Sequence, residues 1–153
     1  ESFAISVLEG NRAKYVARDQ KKRISSMPLR VGDSLPSHCS AAGKVLLSGL
    51  SSGELDSLLE GQSLEKCTEY SIIDIVELKE CLRKVRLQNW GMAEDEFELG
   101  MIAIAVPVFD RKGKVISSLS VGSSKQRRTV SELKEEFLPV LQDAAEKLSS
   151  VMN

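Results

Sequence analysis

Apolar and polar residues alternate over two short stretches at the start of the chain. The alternation runs from Phe3 to Leu8, is interrupted by the turn-forming residues 9–11, and returns from Ala13 to Ala17. A period of two places successive side chains on opposite faces of a strand. The pattern therefore predicts a β-hairpin. Residues from Ile24 to Val31 add a third extended segment, which Pro28 confines to an edge or a bulge.

Helical spacing replaces this alternation in the middle of the chain. Residues from Gly32 to Pro36 have turn chemistry, and Ser37 or Ser40 can cap a helix that runs from Ala41 to Leu50. The apolar positions of that segment recur every three or four residues, which is the spacing of one helix face. A first helix is therefore expected directly after the turn.

Two further helices are predicted downstream. One begins at Ser51 or Ser52, and after an extended piece over residues 68–73 the next is capped by Asp74 and ends at Trp90-Gly91. Each places leucine and valine residues at intervals of three and four. Both helices are therefore expected to bury one side.

The last third of the chain combines two strands and one long helix. Residues from Gly100 to Phe109 and from Val115 to Val121 are rich in β-forming residues, and Asp110 to Gly113 forms a hairpin turn between them. These two strands are expected at the centre of the sheet. Thr129 caps a helix whose apolar side contains Leu133, Phe137, Leu138, Leu141, Ala144, Ala145 and Leu148.

The order of elements predicts the fold class. Strands, helices, strands and a final helix follow one another without strict alternation of strand and helix. This order favours an α+β fold, with helices packed on an antiparallel sheet, over a doubly wound parallel sheet. The length of 153 residues fits one domain, taken as residues 1–153.

Composition and charge exclude two classes of partner for this chain alone. It carries 21 basic and 22 acidic residues, so it lacks the excess of positive charge that DNA phosphates require. We interpret the basic runs Lys21-Lys22-Arg23 and Lys125-Gln126-Arg127-Arg128 as solvated loops. The longest apolar stretch, Met101 to Phe109, is too short for a membrane helix, and no membrane partner is expected.

Cysteine and histidine usage indicates neither a disulfide framework nor a metal site. Cys39, Cys67 and Cys81 make an odd number, which suits free thiols in a reducing cytoplasm. His38, the single histidine, is adjacent to Cys39, and no ligand spacing completes a zinc site. Adjacent side chains rarely form a nucleophile and base pair, so we expect no catalytic site, no metal and no cofactor.

Two short motifs resemble sites without meeting their requirements. The run Glu94-Asp95-Glu96-x-Glu98 lacks the alternating spacing and central glycine of a calcium loop and is interpreted as a solvated loop. The stretch Ala41-Ala42-Gly43-Lys44 has one glycine where a phosphate loop needs two, and no Ser or Thr follows the lysine. Phosphate chemistry is therefore set aside.

Small residues at two places allow two interpretations. They are Ser40 to Gly43 at a helix start and the serines and glycine between Ser117 and Gly122 on a strand. Small side chains permit close packing of a helix on a sheet. Alternatively, free N–H groups at a helix start together with nearby hydroxyls can bind a small carboxylate. Composition does not separate the two.

Three blocks of sequence together resemble the IclR family of bacterial transcription regulators. The first, Leu35 to Leu47, contains the Pro, His, small residues and Gly-Lys that open a helix in that family. The second joins Trp90-Gly91 to an acidic run, a glycine and an Ala-x-Pro strand that ends at Asp110. The third, Gly113 to Gly122, is similar to the closing strand of the family's effector domain.

The resemblance implies a function and partners. It implies an effector-sensing domain with a GAF-like antiparallel sheet and flanking helices, with the family's N-terminal winged helix-turn-helix absent from this chain. Family members assemble as dimers and tetramers on operator DNA and respond to a small metabolite, commonly an organic or aromatic acid. By this resemblance the chain is expected to be no enzyme, and its contact with DNA is expected only through the absent domain.

The resemblance also nominates a ligand site. Carried over by position, the ligand-binding residues are Ser40, Ala41, Ala42, Glu94, Met101, Ala103, Ser118 and Ser120. Ala93 stands where an acid or polar group often begins the acidic run, and Ala103 stands at a family Cys or Ser position. Fewer polar partners favour a less polar ligand, such as an aromatic acid. The alternatives are a redox sensor or small enzyme that uses Cys39, and an oligomerisation module without a ligand.

Overall fold

Six strands form one antiparallel sheet in the computed structural model, which describes residues 1–20 and 29–152. The order across the sheet is β3-β2-β1-β6-β5-β4. The strands are β1 (Ser2–Glu9), β2 (Arg12–Gln20), β3 (Ser34–Pro36), β4 (Gly91–Glu94), β5 (Met101–Phe109) and β6 (Val115–Ser124). The predicted N-terminal hairpin and the two central strands are confirmed, because β5 and β6 each have a neighbour on both sides.

Four helices flank this sheet among the described residues. They are α1 (Ala41–Ser48), α2 (Ser52–Leu59), α3 (Ile75–Gln88) and α4 (Val130–Val151), and a 3-10 turn over Ser37–Cys39 precedes α1. In each helix a side chain at the N-cap accepts a hydrogen bond from the first turn, and the caps are Ser40, Ser51, Asp74 and Thr129. Such caps satisfy N–H groups that have no partner inside the helix. The α+β prediction is confirmed.

The two faces of the sheet have different side chains because β5 alternates between large and small residues. Ile102, Ile104, Val106 and Val108 pack against α4. On the opposite face Ala105 contacts the cluster formed by α1 and α3, and Ala103 packs at its edge. Small residues on this second face let α1 approach the sheet closely. This approach places the start of α1 beside β6 and β5.

Gly43 packs directly against the 3-10 turn that precedes α1. A Cβ atom at this position would lie 2.3 Å from both the Cα and the carbonyl oxygen of Ser37, in the 3-10 turn. Both are backbone atoms, so no side-chain rotation could relieve the contact. The glycine is therefore required for packing of α1 on the 3-10 turn, a contact that neither interpretation of the small residues anticipated.

Three predictions about local structure were wrong. Ser34 to Pro36 was assigned to a turn but forms β3, because residues 34–36 pair with residues 12–14 of β2. Gly91 to Glu94 was not recognised as a strand but pairs with β5 as β4. Residues 68–71 form a turn instead of an extended piece, since Ser71 Oγ accepts hydrogen bonds from two preceding N–H groups, and Ile72 and Ile73 form no strand. The segment from Ile24 to Pro28 lies outside the described residues, and Leu29 to Val31 form no strand.

The second basic run lies in a turn, as predicted, and its side chains are ion-paired. Lys125 contacts Glu94 and Asp95 at 2.9 and 2.8 Å. Arg127 and Arg128 both contact the Glu1 carboxylate. These pairs leave little positive charge for phosphate groups. The first run, residues 21–23, lies outside the described residues.

None of the helices within residues 1–20 and 29–152 combines the length and apolar character that crossing a membrane requires.

Candidate functional site

A cavity lies between the start of α1 and the sheet face that carries the small residues. It holds about 400 Å³ of empty space, its open mouth included. Much of its wall is apolar and comes from Leu35, Ala93, Phe97, Met101, Ile102 and Ala103. Polar groups are contributed by Tyr15, Ser40, Glu96 and Ser120. An apolar cleft with a few convergent polar groups is the usual form of a small-molecule site.

The start of α1 forms one side of the cavity. Ser40 Oγ accepts a hydrogen bond of 2.9 Å from Gly43 N, which completes the cap. Ala41 and Ala42 occupy the first turn, where backbone N–H groups have no acceptor inside the helix, and both residues line the cavity. The positive end of the helix dipole therefore points at this space.

Ser120 faces the helix start from β6. It pairs with Ala4 on β1 and Ala105 on β5, so small side chains surround it in the sheet. It is 8% exposed and lines the cavity, and within the described part of the chain its Oγ has no hydrogen-bond partner. The oxygen is open to the cavity and is not sealed away from solvent, so water or a ligand can satisfy it. This hydroxyl is available to a ligand.

A buried ion pair closes another side of the cavity. Lys44 Nζ lies 2.7 Å from the Glu96 carboxylate and donates to the Met92 carbonyl oxygen at 3.0 Å. The side chains are 3% and 12% exposed. Burial raises the pKa of Glu96, and the charge and hydrogen bond of Lys44 oppose that shift. Lys44 is thus committed to this contact, consistent with setting phosphate chemistry aside.

The acidic run is not the solvated loop that was predicted. Its first residue, Glu94, ends β4, and Glu96 turns inward to Lys44. Asp95 adopts a left-handed backbone with φ of 61° and accepts a hydrogen bond of 2.6 Å from Gly100 N. The hydrogen bonds that Lys125 and Gly100 donate to Asp95 lower its pKa. The prediction failed because Lys44 comes from α1 and Lys125 from the turn after β6. The local sequence of the acidic run does not show these partners.

Six of the eight nominated ligand residues line this cavity. They are Ser40, Ala41, Ala42, Met101, Ala103 and Ser120. Glu94 is instead paired with Lys125 outside it. Ser118 is fully buried beyond the lining residues, opposite Ser6. The cavity is also lined by residues that were not nominated, namely Tyr15, Leu35, Glu96 and Phe97. The sequence signal for Tyr15 was the alternation of the residues around it.

His38 and Cys39 both approach the loop that carries Glu65. Both side chains turn toward one loop: His38 Nε2 lies 2.7 Å and Cys39 Sγ 3.9 Å from the carbonyl oxygen of Glu65. Burial alone would lower the pKa of His38, but hydrogen bonds with Cys39 and Glu65 raise it. The three cysteines are free thiols, as predicted. No group of three or more potential metal ligands occurs in residues 1–20 and 29–152.

Comparison with known proteins decides the family. The protein-family model described as "Bacterial transcriptional regulator IclR C-terminal" matches residues 1–150 of this chain. The chain belongs to this family. The resemblance seen in the three sequence blocks is therefore confirmed, and so is the GAF-like fold that it implied.

Relatives within the IclR family cover nearly all of this chain. The Pca regulon regulatory protein of Pseudomonas putida is 35% identical over 149 residues, which are 97% of this chain and 51% of that protein. A double mutant of the PobR inducer-binding domain from Acinetobacter, solved in complex with 3-hydroxybenzoic acid, is 35% identical, with a TM-score of 0.89 and coverage of 97% and 87%. The C-terminal domain of KdgR from Escherichia coli is 34% identical, with a TM-score of 0.84 and coverage of 97% and 85%. The chain spans about half the length of the curated relatives it matches.

Proposed function

We propose that this chain is the effector-sensing domain of a transcription regulator and that its ligand is a small carboxylic acid with an apolar, aromatic body. The observation that carries the proposal is the unpartnered Ser120 hydroxyl facing the first turn of α1 across an apolar cavity. We propose the cavity-lining residues Ser40, Ala41, Ala42, Met101, Ala103 and Ser120 as the ligand site.

The helix start suits the carboxylate. Backbone N–H groups at Ala41 and Ala42 and the helix dipole attract an anion. The Ser120 hydroxyl can donate to one carboxylate oxygen and fix its orientation. Phe97, Met101 and Leu35 provide contacts for a ring. The Glu96 carboxylate repels a second anionic group, which favours a monoacid over a diacid.

The relatives support the same chemical class. A double mutant of the PobR domain, at 35% identity, was solved with 3-hydroxybenzoic acid, and a curated relative is the p-hydroxybenzoate hydroxylase transcriptional activator of Acinetobacter baylyi. The comparisons lend no support to an enzyme or to a redox sensor as the main function. We infer that a benzoate or a close analogue is the first ligand to test.

The proposal extends to the whole protein. In it, DNA is bound by a winged helix-turn-helix segment N-terminal to this chain, and the protein acts as a dimer or tetramer in the cytoplasm. A ligand that binds one arrangement of the domains better than another shifts the population toward that arrangement. In this proposal an anion bound at the start of α1 ties α1 to the sheet. This contact supplies the difference in ligand affinity between the two arrangements of the domains.

Ligand binding is tested by thermal unfolding and calorimetry with benzoate, 3-hydroxybenzoate and 4-hydroxybenzoate. A ligand at about 100 times its dissociation constant adds about 2.7 kcal/mol to the free energy of unfolding, or several degrees in melting temperature. Methyl benzoate, which has the ring without the charge, serves as the control and is expected to bind weakly. A folded protein that ignores all the acids, including aliphatic and sugar acids, would instead favour a ligand-free assembly module.

Ser120→Ala is expected to weaken binding of the acid about ten- to hundredfold and to leave the unfolding free energy nearly unchanged. The hydroxyl has no partner to lose among residues 1–20 and 29–152, whereas a hydrogen bond to a charged ligand contributes about 1.5–3 kcal/mol. Titration calorimetry measures the dissociation constant. Ser118→Ala is the matched control, because that hydroxyl lies on the same strand and face but outside the cavity lining. Equal affinity of Ser120→Ala and the parent protein would rule out this site.

A further inference from the structure

Two thiols from distant parts of the chain lie together behind the cavity wall. Cys39 ends the 3-10 turn and lines the cavity, whereas Cys67 lies in the loop between α2 and α3. Their Sγ atoms are 3.6 Å apart although the residues are 28 positions apart in sequence. A disulfide bond joins sulfur atoms about 2.05 Å apart. The two sulfur atoms need to approach each other by only about 1.5 Å.

Ser71 fixes the loop that carries Cys67. Its Oγ accepts hydrogen bonds from the N–H groups of Cys67 and Thr68, each 3.0 Å long, and donates to the Glu96 carbonyl oxygen at 2.6 Å. The same Oγ lies 3.8 Å from Cys39 Sγ. The approach of the thiols is therefore built into a hydrogen-bonded turn and is not a chance contact of mobile side chains.

The two thiols differ in acidity. Burial opposes ionisation of Cys39, but the hydrogen bond and positive charge of His38 outweigh it and lower the pKa of Cys39. Burial, together with the neighbouring Cys39 and Glu65, raises the pKa of Cys67 to about 12. Since the thiolate is the reactive form, Cys39 supplies the nucleophile, while Cys67 keeps its proton.

We infer that Cys39 and Cys67 form a reversible intramolecular disulfide when the protein meets a hydroperoxide, and that this bond changes the affinity of the adjacent cavity for its ligand. The pair is then a redox input on a ligand-binding domain. The second half of the inference rests on the proposed function, whereas formation of the disulfide does not.

The reaction balances with the hydroperoxide as the only oxidant. The Cys39 thiolate attacks one peroxide oxygen, the O–O bond breaks, and the departing oxygen takes a proton and leaves as water or an alcohol. Cys39 is now a sulfenic acid. The Cys67 sulfur attacks the Cys39 sulfur, the S–O bond breaks, and hydroxide leaves with the Cys67 proton as water. Two thiols lose two electrons and the hydroperoxide gains them.

The bond would alter the cavity in two ways. Cys39 Sγ has to turn toward Cys67, away from the wall that it shares with Ser40 and Ala41. The bond also ties this wall to the loop that holds Glu96 through Ser71. Because Cys39 is fully buried, a hydroperoxide reaches it through the cavity that it lines, so a bound ligand should slow its oxidation.

The disulfide is tested in a Cys81→Ser variant of this chain, which leaves only the two thiols of the pair. Cys81 lies on α3, and within residues 1–20 and 29–152 no hydrogen bond joins its sulfur to Cys39 or Cys67. After hydrogen peroxide and then catalase, the unfolded protein is alkylated with iodoacetamide and weighed. We expect no alkylation, a mass lower by two hydrogen atoms, a peptide linking residues 39 and 67, and full reversal by dithiothreitol. Two alkylated thiols, or added oxygen atoms without a crosslink, would overturn the inference.

A second variant checks the order of events. In Cys67→Ser combined with Cys81→Ser, peroxide should stop at the Cys39 sulfenic acid, which dimedone traps, and no crosslink within one chain should form. Both variants should keep the unfolding transition of the parent protein. The converse variant combines Cys39→Ser with Cys81→Ser. Dimedone labelling of Cys67 in this variant that is as fast as labelling of Cys39 in the first would contradict the assignment of Cys39 as the nucleophile.

Coupling to the cavity is measured with 3-hydroxybenzoate as the probe. Its dissociation constant is compared between reduced and oxidised Cys81→Ser protein, and a change of about tenfold is expected. Equal affinities in the two forms would contradict the coupling. Failure of the reduced protein to bind any benzoate would contradict the proposed function and with it the coupling, while the mass measurement would still decide the disulfide by itself.

Discussion

Gly43→Ala is expected to lower the free energy of unfolding by about 3 kcal/mol or more, because the added methyl group overpacks a rigid contact. Its carbon would lie 2.3 Å from the Cα and carbonyl oxygen of Ser37. Relief requires α1 and the 3-10 turn to separate, and this would also move Ser40 and Ala41 at the cavity. Urea unfolding of the purified domain gives the free energy.

Gly53→Ala is the matched control for this substitution. Gly53 also lies in a short helix, α2, but nothing is within 4 Å of a Cβ atom placed there. Alanine has the higher helix propensity, so this control should be unchanged or more stable by up to about 1 kcal/mol. If both variants unfold at the same denaturant concentration as the parent protein, the close packing of α1 on the 3-10 turn is wrong.

Lys44→Met is expected to cost about 3–5 kcal/mol, since it leaves a buried carboxylate without its partner. Lys44 is 3% exposed and holds Glu96 at 2.7 Å. Lys79→Met is the control: the Lys79–Asp56 pair has a similar distance of 2.6 Å but is exposed at 45% and 60%. An exposed pair contributes about 0–1 kcal/mol, so burial and not distance sets the difference. Similar losses in the two variants would contradict this account.

The loss in Lys44→Met should shrink as the pH is lowered. Burial raises the pKa of Glu96 in the folded protein, and removing Lys44 removes the group that opposes this shift. The folded state then binds a proton more readily than the unfolded state, so stability falls as pH rises from the ordinary glutamate pKa through the raised one. Unfolding curves at neutral and mildly acidic pH measure this slope. The double variant Lys44→Met with Glu96→Gln has no carboxylate to titrate and should lose this pH dependence.

Local sequence determined the boundaries of most elements because their signals lie a few residues apart. The capping boxes of α2 and α4 join Ser51 to Glu54 and Thr129 to Glu132, three positions along the chain. The hairpin of β1 and β2 and the hairpin of β5 and β6 each close over a short turn. Such signals act within one turn or one strand pair, so a reader of the sequence can see both partners.

Chain order and spacing also predicted the fold class and part of the site. Six of the eight residues nominated through the family resemblance line one cavity, although whether they bind a ligand stays a prediction. The resemblance could select them because the helix start and the strands β5 and β6 keep their order along the chain. It missed residues contributed by neighbouring elements, such as Tyr15 on β2 and Phe97 in the loop before β5.

Only the tertiary structure decided which polar groups are buried and with what. The sequence of the acidic run predicts exposure, yet Glu96 is buried because Lys44, on α1, lies beside it. Cys39 and Cys67 look like isolated thiols in the sequence and lie 3.6 Å apart in the fold. The local sequence pattern indicates secondary-structure propensity and the amphipathic faces of helices and strands. Burial, ion pairing and the proximity of thiols depend instead on contacts between elements far apart in the chain. The sequence by itself therefore determined the elements, their order and the family, and packing of α1 against the sheet decided the chemistry of the cavity.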